Sequence, residues 1–169
     1  MSMRTKIVSG LGTLALILSV FASVGSAQGK SQADLRKPFV GTWRLVSIEG
    51  GAPNVANRGN KPTGVIIYDD HGLMAVQITP DRPRQTWTGT PTAEQAAANA
   101  RGYTAYWGTY TIDEKAQTVT HHRQGAIDGG EVNFVRKFEL KDGGARIVLT
   151  PVNGGTTTPP QHLTWDRVK

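Results

Sequence analysis

Two polar side chains that could carry chemistry, His121 and Arg136, fall on the apolar faces of predicted strands. Side chains alternate along a strand, so Arg136 shares its face with Phe134 and Phe138, and His121 shares its face with Val119. A guanidinium or imidazole that is buried without a polar partner is costly. A short turn joins the two strands, so His121 and Arg136 are predicted to lie close together inside the fold.

Three roles are open for this pair. It can be a structural pair that is hydrogen-bonded to tyrosines, since buried polar groups need partners whatever the function. It can anchor the carboxylate or carbonyl of a hydrophobic ligand. It can also catalyse a cofactor-free isomerisation, cyclisation or dehydration, with His121 as general acid or base and Arg136 or Tyr110 stabilising an oxyanion. The sequence holds no nucleophile elbow and no Walker loop, so no reaction is specified and no cofactor is predicted.

The wall around this pair is predicted to be mostly aliphatic and aromatic. An apolar wall with a few convergent polar groups is typical of small-molecule sites. The predicted ligand-binding residues, all on inward faces, are Met74, Tyr106, Tyr110, His121, Phe134 and Arg136. The predicted ligand is a small hydrophobic molecule that carries a carboxylate or a carbonyl group.

Eight strand-like segments must position these side chains. Each is rich in β-branched and apolar residues, and Gly, Pro, Asn or Asp residues bound most of them. The segments are Val40–Glu49, Thr63–Tyr68, Leu73–Thr79, Tyr103–Ile112, Thr118–Ala126, Glu131–Leu140, Arg146–Thr150 and Gln161–Val168. One helix is predicted over Thr92–Arg101, because Thr92 can cap it and Gly102 can end it. The pattern predicts an all-β protein, an eight-stranded antiparallel up-and-down barrel with one short inserted helix.

A glycine and a tryptophan open the first strand, and an arginine ends the last. If the first and last strands pair, Arg167 lies over the ring of Trp43. Gly41 has no Cβ, so a large group can lie against its backbone. We therefore predict that Gly41, Trp43 and Arg167 form a structural closure of one barrel end rather than a catalytic site.

These segments together resemble the lipocalins and the wider calycin superfamily, and more closely the small lipocalin-like domain proteins of bacteria and fungi. Residues 39–47, 108–112, 119–122, 135–140 and 163–167 carry the resemblance. It implies a barrel with one open end, an apolar cavity and a base closed by Trp43 and Arg167. It also singles out His121 and Arg136, and it supplies no reaction.

The first 27 residues have the pattern of a secretory signal peptide. Arg4 and Lys6 precede an apolar run, and the small residues Gly25 and Ala27 stand at positions −3 and −1 of a cut after Ala27. The alternative is an uncleaved membrane anchor, since the run approaches the length of a spanning helix. We predict a signal peptide over 1–27, a loose N-terminal lead-in over 28–38 and the barrel domain over 39–169. The mature protein would be periplasmic or secreted, without stable membrane insertion.

Composition argues against several other classes. The net charge is +6, but the basic residues are scattered, with no run longer than a pair, so no nucleic-acid partner is predicted. The chain has no cysteine, which excludes disulfides and a lipid-anchored cysteine. No metal site is predicted, because the possible ligands Asp69, Asp70, His71, His121, His122 and His162 fall in no recognised spacing. Two further possibilities stay open: haem binding through His121, and a protein inhibitor that acts through loops 50–62 and 151–160.

Overall fold

The structure is a computed structural model that describes residues 29–51, 58–129, 133–152 and 160–169. The predicted signal peptide lies outside the described residues and stays a prediction. Within the described ranges, no helix is both long enough and apolar enough to cross a membrane.

Eight antiparallel strands form a closed barrel, in which each strand pairs with its neighbours in sequence and the last pairs with the first. The strands are β1 (Gly41–Glu49), β2 (Thr63–Tyr68), β3 (Leu73–Thr79), β4 (Thr104–Asp113), β5 (Thr118–Ala126), β6 (Asn133–Lys141), β7 (Arg146–Pro151) and β8 (His162–Arg167). The predicted up-and-down barrel is confirmed. Closure leaves no strand with an unpaired edge, which removes the usual route to aggregation.

Within the described ranges, two α-helices accompany the barrel, α1 (Gln32–Arg36) and α2 (Ala93–Ala100). The prediction of a loose lead-in before Pro38 is therefore wrong for the segment that contains α1. Ser31 caps this helix by accepting a hydrogen bond from the Asp34 amide at 3.2 Å. The Gln32 side chain bonds both the N–H and the C=O of Ile112, at 3.0 and 2.7 Å. A mostly polar segment is thus ordered by two side chains that bond backbone groups.

The predicted inserted helix is present as α2, and the insert between β3 and β4 is tied together by its own hydrogen bonds. Thr92 forms a capping box at the start of α2. Buried Asn99 accepts from the Gln85 amide at 3.1 Å and donates to the Gln85 carbonyl at 2.9 Å. Arg82 also donates to the Ala98 carbonyl at 2.6 Å. These contacts fix the insert locally, beside the loop that follows β1.

The up-and-down order gives the barrel two different ends. The short turns 69–72, 114–117 and 142–145 lie at one end together with α1, and we call this end the base. The longer connections β1–β2, β3–β4 and β7–β8 lie at the other end, which we call the mouth. Inward side chains of all eight strands fill the space between, as the alternation of buried and exposed residues along β3 and β5 shows.

Trp43 and Arg167 seal the base. The Trp43 ring is fully buried, and its Nε1 donates to the Phe39 carbonyl at 2.7 Å. The Arg167 guanidinium lies 4.1 Å from the centroid of the Trp43 ring. Its nitrogens donate to the carbonyls of Val40, Pro38 and Gly144. All three nitrogens of this side chain are therefore hydrogen-bonded by the chain itself.

Gly41 makes this contact possible. Its φ is +135°, and a Cβ built on it would lie 2.9 Å from Arg167 Nη1. Any other residue would be strained in its backbone and would push the guanidinium away from the Trp43 ring. The structure thus brings together the three residues that were predicted to close one end.

Candidate ligand site at the mouth of the barrel

A narrow cavity runs from the mouth into the barrel interior and holds a void of about 40 Å³. Its apolar lining consists of Ile66, Val76, Ile78, Leu149, Leu163 and Trp165. Its polar lining consists of Arg58, Thr104, Tyr106, His121, Arg136 and Gln161. A water molecule needs roughly 10–15 Å³ by this measure, whereas pockets for organic ligands span roughly 300–1,000 Å³. Side chains at the mouth must therefore move before an organic ligand can enter.

Two arginines face this cavity with few partners of their own. Arg58 donates from Nη2 to the Thr104 hydroxyl at 2.6 Å, but its buried Nε has no hydrogen-bond partner. Arg136 stacks on the Phe134 ring at 5.1 Å, and we find no hydrogen-bond partner for it among the described residues. Burial, and then the nearby charge of Arg136, lower the pKa of Arg58. No carboxylate belongs to the described cavity lining, so its charged side chains are both cations.

His121 lies fully buried between two tyrosines. Its Nε2 is 2.8 Å from the Tyr68 hydroxyl, and its Nδ1 is 2.8 Å from the Tyr106 hydroxyl. Burial, then the charge of Arg136, hold the pKa of His121 well below its usual value, so the ring is neutral. Burial also raises the pKa of Tyr68 well above its usual value, so its phenol keeps its proton.

Both ring nitrogens of His121 are hydrogen-bonded, and this restricts its possible roles as a general base and as a haem ligand. A general base needs a free nitrogen within reach of the substrate proton. An axial haem ligand likewise needs a bare nitrogen. In this arrangement His121 can serve either role only after one tyrosine has moved away.

Arg123 is a site residue that the sequence analysis did not select. It is buried, stacks on the Phe134 ring at 4.6 Å and on the Tyr106 ring at 5.1 Å, and forms an ion pair with Asp128. Phe134 thus contacts two guanidiniums, those of Arg123 and Arg136. The shared face with His121 was the signal that could have found Arg123.

The six predicted ligand-binding residues do not all reach the cavity. Tyr106, His121 and Arg136 line it, and Phe134 lies beside them with its ring 5.6 Å from that of Tyr106. Tyr110 belongs to the base side, where its hydroxyl donates to the Asp69 carbonyl at 2.7 Å. Met74 is buried opposite Tyr68 on the neighbouring strand and is absent from the cavity lining. The ligand-binding role of all six stays a prediction.

The β2–β3 turn holds three of the possible metal ligands, Asp69, Asp70 and His71. Their ligand atoms lie within 4.8 Å of one another. One Asp69 oxygen accepts from the Leu73 amide at 2.7 Å, and Asp70 lies 2.7 Å from the His71 ring. These contacts are those of an ordinary exposed turn, so the cluster alone does not define a metal site.

A larger groove of about 420 Å³ lies on the outer face of β2 to β5. Ile67, Trp107 and Ile127 give it three exposed apolar side chains. The Trp107 indole lies against Gly125, where a Cβ would collide with it. None of the described residues that line this groove is charged, in contrast to the lining of the cavity at the mouth.

The similarity of this chain to known proteins shows its family. No curated protein matches the chain. Among solved structures, the crystal structure of a mutant of the fluorescent protein UnaG is similar, with 19% sequence identity and a TM-score of 0.39. The match covers 79% of this chain and 98% of that one. The model of the lipocalin-like domain family matches residues 40–168, which is most of the chain. The protein therefore belongs to the lipocalin-like domain family, as the sequence predicted.

Proposed function

We propose that this protein binds a small molecule inside the barrel mouth, through an anionic head group held by Arg58 and Arg136 and an apolar body held by the cavity wall. The observation that supports this most is the charge of the cavity. Two guanidiniums line it, and the described lining contains no carboxylate.

Two partly buried cations with no carboxylate in the described lining destabilise the empty protein, because like charges repel and burial weakens their solvation. An anion placed between Arg58 and Arg136 offsets both costs through charge-assisted hydrogen bonds, which are stronger than neutral ones. The unpartnered Nε of Arg58 is one donor available to such an anion. The cost of holding the two arginines together in the empty site is thus relieved when an anion binds, and this relief adds to the binding free energy.

Ligand entry requires the cavity to widen. Arg58 and Gln161 line it from the connections at the mouth, and both side chains are long and flexible. A rotamer change of either one costs little compared with moving a packed strand residue. Arg58 therefore acts as the entrance side chain and then as part of the head-group site.

Calorimetric titration with octanoate and with octanol tests this proposal. Octanoate should bind more tightly, and Arg136→Met should weaken octanoate binding by roughly tenfold or more while octanol binding stays the same, because only octanoate is charged. Trp107→Ala is the matched control, since it alters the outer groove and leaves the cavity intact. Octanoate binding that survives Arg136→Met, or that is lost with Trp107→Ala, would rule out the interior site.

We also propose that the protein is exported after cleavage behind Ala27. The support is the basic start, the apolar run and the small residues at the predicted cut. Intact mass spectrometry of protein recovered from the host tests this directly. A mass that retains Met1 to Ala27 in the mature protein would contradict cleavage.

A further inference from the structure

We propose that Tyr68, His121 and Tyr106 form a one-way hydrogen-bond chain that presents the Tyr106 hydroxyl proton to the head group of the ligand. Tyr106 is then a specificity-determining residue, and Tyr68 is a positioning residue that acts through His121. The ligand part of this inference rests on the proposed function, whereas the direction of the hydrogen-bond chain does not.

The direction follows from counting hydrogens. A neutral imidazole has one N–H donor and one bare nitrogen acceptor. Each nitrogen of His121 is 2.8 Å from a tyrosine oxygen, so one tyrosine must donate to the ring and the other must accept from it. The tyrosine that accepts from the ring keeps its own O–H, which is not donated to His121.

The surroundings of the two tyrosines decide which one keeps that proton. Tyr68 is 1% exposed, and its ring packs against Phe39, Tyr110 and His121. Tyr106 lines the cavity, where water or a ligand can accept a hydrogen bond. An O–H without an acceptor in a packed core is costly. Tyr68 therefore donates to Nε2, and Nδ1–H donates to Tyr106, whose own O–H is free for the cavity.

The charged and titratable groups around His121 keep the ring neutral. Tyr68 and Tyr106 occupy its two nitrogens, and the charges that act on it are those of Arg136 and His122. None of these four carries a negative charge at neutral pH, so none favours a second proton on the ring. A second proton would also turn Nε2 into a donor and break the bond from Tyr68.

This arrangement defines the ligand head group more closely. Arg58, Arg136 and Tyr106 all offer hydrogen-bond donors to the cavity, and the Thr104 hydroxyl already accepts from Arg58. A carboxylate presents two acceptor oxygens and no donor. An amide or an amine of equal length would place N–H groups among donors. We therefore expect the site to select carboxylates against the matching amides.

The direction of the chain is tested by NMR on protein with ¹⁵N-labelled histidine. The His121 signals are assigned as those that disappear in His121→Gln. The expected result is the tautomer that is protonated on Nδ1, with Nε2 bare. A ring protonated on Nε2, or on both nitrogens at neutral pH, overturns the inference.

The role of Tyr106 is tested by titrating octanoate and octanamide into wild-type protein and Tyr106→Phe. Loss of one hydrogen bond to a charged group should weaken octanoate binding roughly tenfold to a hundredfold. Octanamide should bind weakly to both proteins. Tyr103→Phe is the matched control, because it removes a phenol hydroxyl from a ring that stacks on Arg84 outside the cavity lining.

Tyr68→Phe tests the positioning role, because it keeps the ring and removes the donor to Nε2. We expect the His121 signals to show a mixture of tautomers and octanoate binding to weaken, with melting followed in parallel. A purely structural role of Tyr68 would lower the melting temperature and leave the tautomer of His121 unchanged.

Equal octanoate affinity in wild type and Tyr106→Phe overturns this inference and leaves the proposed function standing. No octanoate binding to wild type overturns both the proposed function and the ligand role of Tyr106, while the NMR result still decides the direction of the chain.

Discussion

The base and the mouth of this barrel each hold partly buried arginines, but Arg167 at the base has more hydrogen-bond partners than Arg58 and Arg136 have at the mouth. Arg167 stacks on Trp43 and donates to three backbone carbonyls. Arg58 has one hydroxyl partner and a buried Nε without any, and Arg136 rests on the Phe134 ring. The same chemical group thus serves as a structural closure at one end and, in the function we propose, as a receptor for a ligand at the other. The two roles differ in whether groups of the protein itself accept hydrogen bonds from the N–H groups of the arginine.

Trp43→Ala should produce the largest loss of stability. The ring is fully buried at the base, and truncation of a buried tryptophan costs about 3–5 kcal/mol. Urea denaturation of wild type and variant measures this difference. Trp107→Ala is the matched control, since half-exposed Trp107 on the outer wall should cost less than about 1 kcal/mol. Similar losses for the two variants would contradict the picture of a sealed base.

Arg167→Met compared with Arg136→Met tests the comparison between the two ends directly. Arg167→Met should destabilise the fold by about 2–3 kcal/mol, because it leaves three carbonyls without their charged donor. Arg136→Met should change stability by less than about 1 kcal/mol in either direction, because an unpaired cation is replaced by an apolar chain of similar length. Denaturation curves for both variants decide this. A greater loss for Arg136→Met would mean that the mouth arginine is structural.

Stability should fall as the pH drops below the ordinary pKa of histidine. The pKa of His121 is well below the usual 6.5 in the folded protein. Below pH 6.5 the unfolded chain therefore binds a proton that the folded chain does not, and stability is lost at up to about 1.4 kcal/mol per pH unit. Urea denaturation between pH 7 and pH 5 measures the slope. His121→Gln should flatten it, and an unchanged slope would mean that another group controls the acid response.

Removal of the two helix caps should have the smallest effects on stability. One cap lies at the base and the other at the mouth, so the two variants again compare the two ends. Ser31→Ala and Thr92→Ala each remove a side chain that caps a helix, which costs about 1 kcal/mol locally. At the base, α1 is bonded to β4 through Gln32, so Ser31→Ala should lower the global stability. At the mouth, Thr92→Ala should mainly speed amide exchange within α2. Equal global effects would show that the insert is as firmly coupled to the barrel as α1 is.

Much of the fold follows from the sequence because strands alternate and turns have characteristic residues. That alternation placed His121 and Arg136 inside, and the glycine, tryptophan and arginine at the chain ends indicated the closure. The confirmed barrel needed no information beyond these local patterns. Local patterns suffice wherever a side chain's surroundings are set by its own strand.

The remaining site residues depend on contacts that no local pattern encodes. Arg58 lies on a loop, where side chains follow no period. The bond between Tyr68 on β2 and His121 on β5 crosses the barrel, so it depends on the registers of several intervening strand pairs. The order of α1 depends on the Gln32 side chain meeting Ile112 on β4. Such contacts become visible only when the whole sheet is closed.

The closure by Arg167 also has a consequence for synthesis. Its hydrogen bonds reach 127 and 129 positions back along the chain, to Val40 and Pro38. Contacts of such long sequence separation form late and slow folding. A nascent chain that has not yet emerged as far as β8 leaves β1 and β7 as two unpaired edges, which can join other chains. The barrel can therefore close only after β8 has been synthesised, and loss of β8 should expose the protein to aggregation.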